Sequence, residues 1–277
     1  MTFSIVGRAD NSSGDPEWGV AVASKFLAVG NAVPAAVAGI GAIATQAMAN
    51  VAYKAEALAH LDEGATAQVA LERLLADDPD REHRQVGIVG VDAPAATWTG
   101  RECFAWAGGY AGDDVAIQGN ILTGPEVVEA MRASWESSAS RPLSRRLLEA
   151  LTAGDQAGGD SRGRQSAALF VVREGAGYAG GDDIAVDLRV DDHATPVPEL
   201  ARLLDLNDLY LTASTDDEKL PIDDALRAEL DERARAAGRA DFVAWVGAEN
   251  YEMRVDEGAR PEWIDRRVLG IIRGEES

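Results

Sequence analysis

Apolar and polar residues alternate at the start of the chain, as they do in β-strands with one buried face. The alternation covers residues 2–8 and 17–24, and the polar stretch between them predicts a hairpin turn. Residues 36–45 form an apolar run of small residues, which predicts one buried strand. Shorter apolar runs predict further strands at 86–91, 95–99, 114–118, 166–173 and 186–190.

Segments with a helical spacing of apolar residues lie between these strands. They predict helices at 50–63, 66–77, 125–137, 142–153 and 197–205. Pro125 and Pro142 stand at the starts of two of them, where a missing N–H costs nothing. Paired helices between groups of strands are typical of an α+β fold in which helices cover stacked sheets. They differ from the strict βαβα alternation of a doubly wound fold.

The composition changes after about residue 206. Residues 214–224 are polar and acidic, which indicates a linker or loop. Residues 225–273 have a helical pattern with enough apolar side chains for a small core. The sequence therefore predicts a main domain over 1–205 and a small helical C-terminal module over 206–277.

The chain is strongly acidic, because 47 Asp and Glu against 26 Lys and Arg give its 277 residues a formal net charge of −21. Such a surface repels phosphate, which argues against a nucleic-acid partner. Three of the basic residues are Lys, a scarcity that indicates a halophilic adaptation or, alternatively, the codon usage of a GC-rich genome. One cysteine and three histidines predict neither a disulfide framework nor a zinc cluster, so we expect no metal and no cofactor.

No residue from Phe26 to Tyr53 is charged, and this segment is long enough to span a bilayer. It is rich in Ala and Gly and contains Asn31, Gln46 and Asn50, which makes it a poor membrane helix. The first residues lack the basic and apolar regions of a signal peptide. We therefore expect a cytoplasmic protein without a membrane partner.

Thr2 is the first candidate for chemistry. Initiator methionine is usually removed before a small residue such as Thr, and its removal would leave a free α-amine beside the hydroxyl at the start of a strand. The pKa of an α-amine, about 7.7–8.0, lies close to working pH, so the amine can accept the hydroxyl proton. This is the arrangement of an N-terminal threonine nucleophile, although many chains begin with Met-Thr and have no such activity.

A rival motif, G-x-G-x-x-A, occurs at Gly39, Gly41 and Ala44. In a dinucleotide-binding fold this motif lies between a strand and a helix, with an acidic residue about 20 positions later. Asp62 has that spacing, but its neighbours have a helical pattern. A nucleotide-dependent oxidoreductase is therefore an alternative with weaker support.

Polar residues among small residues form a third group of candidates. Gly119 and Asn120 end a predicted strand and can offer N–H groups to an oxyanion. Lys25 and Arg164 are cations that can lower the pKa of a nearby amine. The predicted substrate-binding residues at the mouth of a cleft are Lys25, Gln46, Asn50, Arg164 and Gln165. Each could equally belong to an ordinary turn or cap.

Several segments resemble the DUF1028 family, which is grouped with the N-terminal nucleophile (Ntn) hydrolase superfamily. They are TFSIVGR, WGVAVASKFLAVG, ATQAMAN, DREHRQVG, IQGNILTGPEVV, GGDSRGRQSAAL and VDLRVDDH, in that order through the main domain. The resemblance implies a four-layer αββα sandwich with Thr2 as the nucleophile at the start of the first strand. It also implies that Asp160 and Ser166 poise the Thr2 amine, and that Gly119 or Asn120 holds the oxyanion.

The C-terminal segment contains LNDLYL, WVGAENYEMRV and IDRRVLGIIR, and it is similar to a small peptidoglycan-binding-like module often fused to that family. One feature departs from the wider superfamily. Its proteasome-type members carry a lysine that would fall at residues 33–36, where this chain has none. Lys25 lies earlier in the chain.

Together these patterns predict an amidohydrolase that cleaves an amide bond in a small metabolite or peptide, with Thr2 as nucleophile after removal of Met1. The alternative is a non-catalytic binding or assembly protein on the same fold. The sequence leaves open whether the chains form a homo-oligomer.

Overall fold

The computed structural model describes residues 2–275, which form two compact units, one that extends to Arg202 and one that begins at Leu203. The strands of the first unit are β1 (Thr2–Asp10), β2 (Pro16–Ser24), β3 (Pro34–Val37), β4 (Gly41–Ala47), β5 (Arg84–Val89), β6 (Ala96–Thr99), β7 (Trp106–Ala111), β8 (Val115–Leu122), β9 (Ser166–Val172) and β10 (Ile184–Val190). Its helices are α1 (Val29–Ala32), α2 (Tyr53–Asp62), α3 (Ala67–Ala76), α4 (Glu126–Ser137) and α5 (Leu143–Gln156), and α6 (Pro196–Leu211) continues past residue 202.

Six strands form an antiparallel sheet in the order β10–β9–β2–β1–β8–β7. The first six residues of β1 are buried, because α5 packs on one side of this strand and a second sheet on the other. Phe3 faces α5, where it lies against Gly154. Ser4 faces the second sheet, where it hydrogen-bonds Gln46 of β4. Alternate side chains of β1 therefore point to opposite faces of the sheet, and both faces are buried.

The second sheet is antiparallel, in the order β3–β4–β5–β6, and α2 and α3 pack against it. β1 contacts β4 and β5, and β8 contacts β5, so the two sheets face each other. Apolar side chains such as Val6 of β1, Val20 of β2 and Ala44 of β4 pack between the sheets. The first unit is thus a mixed α and β fold with antiparallel sheets.

The second unit has an apolar core of its own, which includes Leu230, Phe242 and Trp245. Its elements are β11 (Lys219–Pro221), α7 (Asp224–Ala236), α8 (Phe242–Glu249), β12 (Trp263–Asp265) and α9 (Arg266–Arg273). β11 and β12 form a short antiparallel sheet. The helical pattern predicted for 225–273 is therefore interrupted by the strand β12. Inside this unit, the buried guanidinium of Arg254 forms an ion pair with the carboxylate of Asp265 at 3.0 Å.

Residues 36–45 do not form the single strand that their composition predicts. They contain the end of β3, a tight turn and the first part of β4. Gly39 has a φ of 74°, which favours glycine, and the chain reverses there. The G-x-G-x-x-A motif consequently lies in a hairpin between antiparallel strands and does not precede a helix, so the dinucleotide-binding hypothesis is wrong.

One further strand differs from the predicted pattern. β7 was not predicted, because its sequence WAGGYA lacks alternation and it is a half-exposed strand at the edge of the sheet. The uncharged segment from Phe26 to Tyr53 is divided among α1, β3 and β4. Within residues 2–275, none of the helices combines the length and apolar composition that a membrane span requires.

Candidate functional site

Thr2 is the first residue of β1 and lies in register with Asn120 of β8. Its hydroxyl Oγ1 is 3.1 Å from the hydroxyl Oγ of Ser24, the last residue of β2. The residue is 5% exposed. Three strands therefore bring a threonine, a serine and an asparagine to one place, and we call the strand ends at Thr2, Ser24, Gln46 and Asn120 the Thr2 end.

Two side-chain amides hold the carbonyl oxygen of Thr2. Gln46 Nε2 donates to it at 3.3 Å and Asn120 Nδ2 at 3.5 Å. Both amides also donate to Oε1 of Gln85, each at 2.8 Å. Gln46 is 1% exposed, so it donates inside the protein, in contrast to the substrate contact that the sequence predicted for it.

Gln85 and Gln118 are two further buried amide side chains at the Thr2 end. Gln118 Nε2 donates to Ser4 Oγ at 2.6 Å, and the Ser4 hydroxyl donates to Gln46 Oε1 at 2.7 Å. Gln85 Nε2 donates to the carbonyl of Gly119 at 2.8 Å. Gln118 stands inside an otherwise apolar strand, and this is the sequence signal that distinguishes it; Gln85 directly follows Arg84 and carries no such signal.

The carboxylate of Asp160 fastens the chain just beyond Ser24. It accepts the backbone N–H of Lys25 at 2.8 Å and that of Arg162 at 2.9 Å. The Arg162 guanidinium adds an ion pair with an Nη2–Oδ2 distance of 3.2 Å. These contacts place Asp160 beside the Thr2 end, where it holds the turn that follows β2.

The predicted cations Lys25 and Arg164 lie next to each other. Lys25 Nζ donates to the carbonyl of Arg164 at 3.2 Å. The Arg164 guanidinium pairs with Asp155 of α5 at 2.7 Å, and this hydrogen bond raises the pKa of Arg164. Asp155 was not predicted, because nothing in the sequence distinguishes it from the many other acidic residues of the chain.

Ser166 begins β9 and anchors the same turn. Its hydroxyl donates to the carbonyl of Phe26 at 2.5 Å and accepts the backbone N–H of Val29 at 3.1 Å. These contacts give Ser166 a structural role beside the Thr2 end. Its participation in poising the Thr2 amine stays a prediction.

The two remaining predicted substrate-binding residues make local contacts. Gln165 Nε2 donates to the carboxylate of Asp192 at 3.1 Å. Asn50 accepts the backbone N–H of Ala52 at 3.2 Å, and its carbonyl accepts the hydroxyl of Thr45 at 3.3 Å. Asn50 thus stabilises the turn between β4 and α2.

A small pocket with a cavity volume of about 60 Å³ lies beside Ser24, and Phe3, Asp155, Asp160 and Arg164 are among its lining residues. This volume is small beside the roughly 300–1,000 Å³ of typical ligand pockets. Because Phe3 faces α5, the pocket lies on the helix-covered side of the sheet. Ser24 lines this pocket, and its hydroxyl is 3.1 Å from Thr2 Oγ1.

Strained backbone is concentrated around the Thr2 end. Ala47 has a φ of 70° and ends β4, and Ala28 has a φ of 53° in the turn after β2. Ile121, which follows Asn120, and Ala105 each have a φ of 51°. The two positions are close, because the N–H of Ile121 donates to the carbonyl of Phe104, the residue before Ala105. Non-glycine residues adopt such angles rarely, and they occur preferentially at functional sites.

Exposed apolar side chains occupy three loops at this end, and we call them the apolar rim. The rim consists of Phe26, Leu27, Met48, Val51 and Phe104, each of which is more than half exposed. The first two follow β2, the next two follow β4, and the carbonyl of Phe104 accepts the N–H of Ile121 in β8. Single exposed apolar residues are ordinary, but a group on neighbouring loops is typical of a binding surface.

An ionised carboxylate fastens the loop after β4. Arg84 Nη1 donates to the carbonyl of Met48 at 2.6 Å, and its Nε pairs with Asp78 at 2.9 Å. The Tyr53 hydroxyl also donates to Asp78, at 2.6 Å. The hydrogen bond from Arg84 holds the pKa of Asp78 well below its usual range, while burial and the bond to Asp78 raise the pKa of Tyr53.

Other reactive side chains offer weaker candidates. Burial raises the pKa of the Cys103 thiol, which disfavours the nucleophilic thiolate. Among residues 2–275, no group of three or more His, Cys, Asp or Glu side chains is arranged to hold a metal ion. Hydroxyl, amide and backbone groups meet at the Thr2 end.

Comparison with known proteins agrees on one family. Residues 2–200 match the model of DUF1028, described as a family of unknown function. The crystal structure of a DUF1028 protein from Silicibacter pomeroyi is similar over 78% of this chain and 90% of that chain, with 28% sequence identity and a TM-score of 0.66. No curated protein matches the chain. The family match spans most of the chain, which therefore belongs to the DUF1028 family.

Proposed function

We propose that this protein is an Ntn-type amidohydrolase in which Thr2, after removal of Met1, attacks an amide bond. The observation that carries the proposal is the convergence of Thr2, Ser24, Asn120 and Gln46 at one end of the sheets, where the backbone is strained and three loops expose apolar side chains. A hydroxyl at the start of a central strand, surrounded by fixed hydrogen-bond donors, suits nucleophilic catalysis.

The order of packed elements also supports an Ntn-like architecture. Helices α4 and α5 pack on the six-stranded sheet, this sheet faces the four-stranded sheet, and α2 and α3 pack on the latter. This is the helix–sheet–sheet–helix order expected of a four-layer αββα sandwich. The resemblance of the sequence to a family grouped with Ntn hydrolases points in the same direction.

The proposed reaction has two steps. In the first, Thr2 Oγ1 attacks the amide carbon while its proton passes to the free α-amine of Thr2. The C–N bond then breaks, the proton passes to the leaving nitrogen, and an ester to Thr2 remains. In the second step, water attacks this ester with the same amine as base, which releases the acid and restores Thr2.

Ser24 and Asn120 have separate roles in this proposal. The Ser24 hydroxyl, 3.1 Å from Thr2 Oγ1, fixes the direction of the nucleophile and can relay its proton. Asn120 Nδ2 already donates to the Thr2 carbonyl and to Gln85, so its primary role is to hold Thr2. Donation to the oxyanion by Gly119 or Asn120 stays a prediction.

The apolar rim points to a substrate with an apolar group beside the scissile amide. A series of β-lactone probes with longer alkyl chains should label the protein faster, because the longer chains bury more apolar surface against the rim. Phe26→Ser should remove this preference. Tyr178→Ser is the matched control, because Tyr178 is 86% exposed and follows the opposite end of β9. Equal effects of the two variants would contradict the assignment.

The decisive experiment combines intact mass with covalent labelling. We expect a purified protein that lacks Met1, and one β-lactone adduct that peptide mapping places on Thr2. Thr2→Ala should abolish the adduct with little change in the melting temperature. A protein that retains Met1, or an adduct that persists in Thr2→Ala, would overturn the proposal.

A non-catalytic binding or assembly protein is the second candidate function. It is favoured by the 5% exposure of Thr2 and by the small volume, about 60 Å³, of the pocket beside Ser24. A wild-type protein that lacks Met1 and still resists a series of electrophilic probes would support this candidate over the hydrolase.

Two further expectations concern the surroundings of the protein. The net charge of −21 suits a protein that works inside a cell at high salt, where screening weakens repulsion between carboxylates. Its melting temperature should then rise between dilute buffer and molar KCl, and a falling value would contradict halophilic adaptation. For the second unit we favour packing on a partner over binding of peptidoglycan, and retention of the full chain on purified murein would contradict this preference.

A further inference from the structure

We infer that Gln46 is a positioning residue, held by Ser4, Gln85 and Gln118, that fixes the Thr2 peptide in one orientation. Four amide side chains lie buried between the two sheets at the Thr2 end, and each is at most 2% exposed: Gln46, Gln85, Gln118 and Asn120. Burial of so many polar groups is unfavourable unless all of them are hydrogen-bonded, and such groups then define one arrangement. The inference rests on the proposed function only for its consequence in catalysis.

The hydrogen bonds run in one direction toward Thr2. Gln118 Nε2 donates to Ser4 Oγ, so the Ser4 proton is directed to its other neighbour, Oε1 of Gln46. This bond fixes which end of the Gln46 amide is oxygen. Gln46 Nε2 must therefore face three acceptors, which are the carbonyls of Thr2 and Gln118 at 3.3 Å each and Oε1 of Gln85 at 2.8 Å. A flipped amide would place oxygen against oxygen at all three positions.

The backbone makes room for this chain of contacts. A Cβ added at Gly87 of β5 would lie 2.0 Å from Oε1 of Gln118. Gly87 is directly between Gln85 and Val89 on the same face of β5, since side chains alternate along a strand. A side chain at this position would displace the Gln118 amide that donates to Ser4.

The orientation of the Thr2 carbonyl affects the reactive groups of Thr2. The Thr2 carbonyl belongs to the peptide that joins Thr2 to Phe3, so its orientation sets the direction of the Thr2 amine and hydroxyl. Gln46 touches this carbonyl and is shielded from solvent. It therefore acts through Thr2 on the rate of bond formation, and not through contact with a substrate.

The first test measures the hydrogen bond without any need for activity. Thr-Phe occurs once in the sequence, at Thr2 and Phe3, so carbonyl carbon-13 Thr with nitrogen-15 Phe labels a single peptide bond. Gln46→Met keeps the length of the side chain and removes its donor, and the Thr2 carbonyl signal should move upfield. In Gln68→Met, the matched control, the signal should stay at its wild-type position, because Gln68 is exposed on α3 and its side chain donates to Glu72. Equal signals in wild type and Gln46→Met would overturn the inference.

The second test measures positioning with the β-lactone probe. The maximal labelling rate should fall about tenfold to a hundredfold in Gln46→Met, while the probe concentration for half-maximal rate stays unchanged. In Gln68→Met the maximal rate should stay at the wild-type value, because Gln68 lies on α3 outside this hydrogen-bond chain. Equal losses in the two variants would overturn the positioning role. If Gln46→Met does not fold, Gln85→Met replaces it, because Gln85 Oε1 aligns both amides that hold Thr2. An unlabelled wild type would refute the proposed hydrolase, and the carbonyl signal would still decide the inference.

Discussion

The layer between the two sheets has two ends of opposite character. On the same face of β1, Thr2 and Ser4 are followed by Val6, and their partners on β8 are Asn120, Gln118 and Ala116. In β4 and β5 the order repeats, since paired glutamines at the Thr2 end give way to small and apolar residues at the other end. Four strands thus change together from polar to apolar side chains along their length.

This difference separates stability from reactivity within one layer. Burial of apolar surface stabilises the fold by about 25 cal/mol per Å², whereas buried amides contribute little net stability and are costly when unpaired. The strained residues Ala47 and Ile121 also lie at the polar end. The apolar end therefore holds the sheets together, and the polar end determines the position of Thr2.

The largest expected effect is at the apolar end. Trp18 is 2% exposed, and its indole donates to the carbonyl of Gly90. Trp18→Ala should lower the free energy of unfolding by about 3–5 kcal/mol, because it removes a large buried side chain and leaves a cavity. Urea denaturation measures this loss. Labelling of Thr2 in the folded variant should keep the wild-type rate, and a parallel loss of labelling would contradict the division.

A smaller loss of stability with a larger loss of reactivity is expected at the polar end. Asn120→Ala removes one side-chain donor from Gln85 Oε1 and one from the Thr2 carbonyl. The free energy of unfolding should fall by about 1–3 kcal/mol, as expected when buried partners lose a hydrogen bond. The labelling rate should fall about tenfold or more, because Thr2 is less well fixed. If Asn120→Ala loses stability but is labelled at the wild-type rate, the polar end does not determine the position of Thr2.

Ser24→Ala should have a modest effect on both properties. The substitution removes the hydroxyl 3.1 Å from Thr2 Oγ1 and leaves the packing of Ala23 unchanged. Stability should fall by about 0.5–1.5 kcal/mol, the usual net worth of one hydrogen bond. Labelling should slow several-fold, and Ser24→Thr should restore part of the rate. No change in rate would remove Ser24 from the proposed mechanism.

The smallest expected effect is on the pH dependence of stability. Hydrogen bonding from Arg84 lowers the pKa of Asp78 in the folded protein, so its carboxylate adds stability above the unfolded pKa of about 3.9. That contribution is lost as the pH falls below this value toward the folded pKa. Melting temperatures between pH 6 and pH 3 should therefore fall less steeply in Asp78→Asn than in wild type. Identical slopes would show that Asp78 is not the group that couples the β4 loop to pH.

Local patterns in the sequence predicted much of the secondary structure. The alternation at residues 2–8 and 17–24 corresponds to β1 and β2, and the predicted helices near 125–137 and 142–153 correspond to α4 and α5. These elements depend on contacts between near neighbours in the chain. The hairpin within residues 36–45 was missed, because a run of small apolar residues looks the same whether or not the chain reverses inside it.

The candidate site could be predicted only in part. Thr2 and Asn120 were identified as residue types suited to the chemistry, but their pairing follows from the register of β1 against β8. Gln85 could not be identified as a site residue from the sequence. Its role depends on its register with Gln46 and on the packing of β8 against β5. Asp155 reaches Arg164 only because the end of α5 lies beside the loop before β9.

The sequence by itself determined which faces of each strand are apolar, where helices begin, and that a hydroxyl residue stands at the start of the first strand. Those properties are local, because spacing and side-chain type act over a few residues. Tertiary structure decided that the polar ends of four strands meet, which amide donates to which oxygen, and where the backbone is strained. Register and the facing of sheets join residues more than a hundred positions apart, and their energies depend on the whole packed unit.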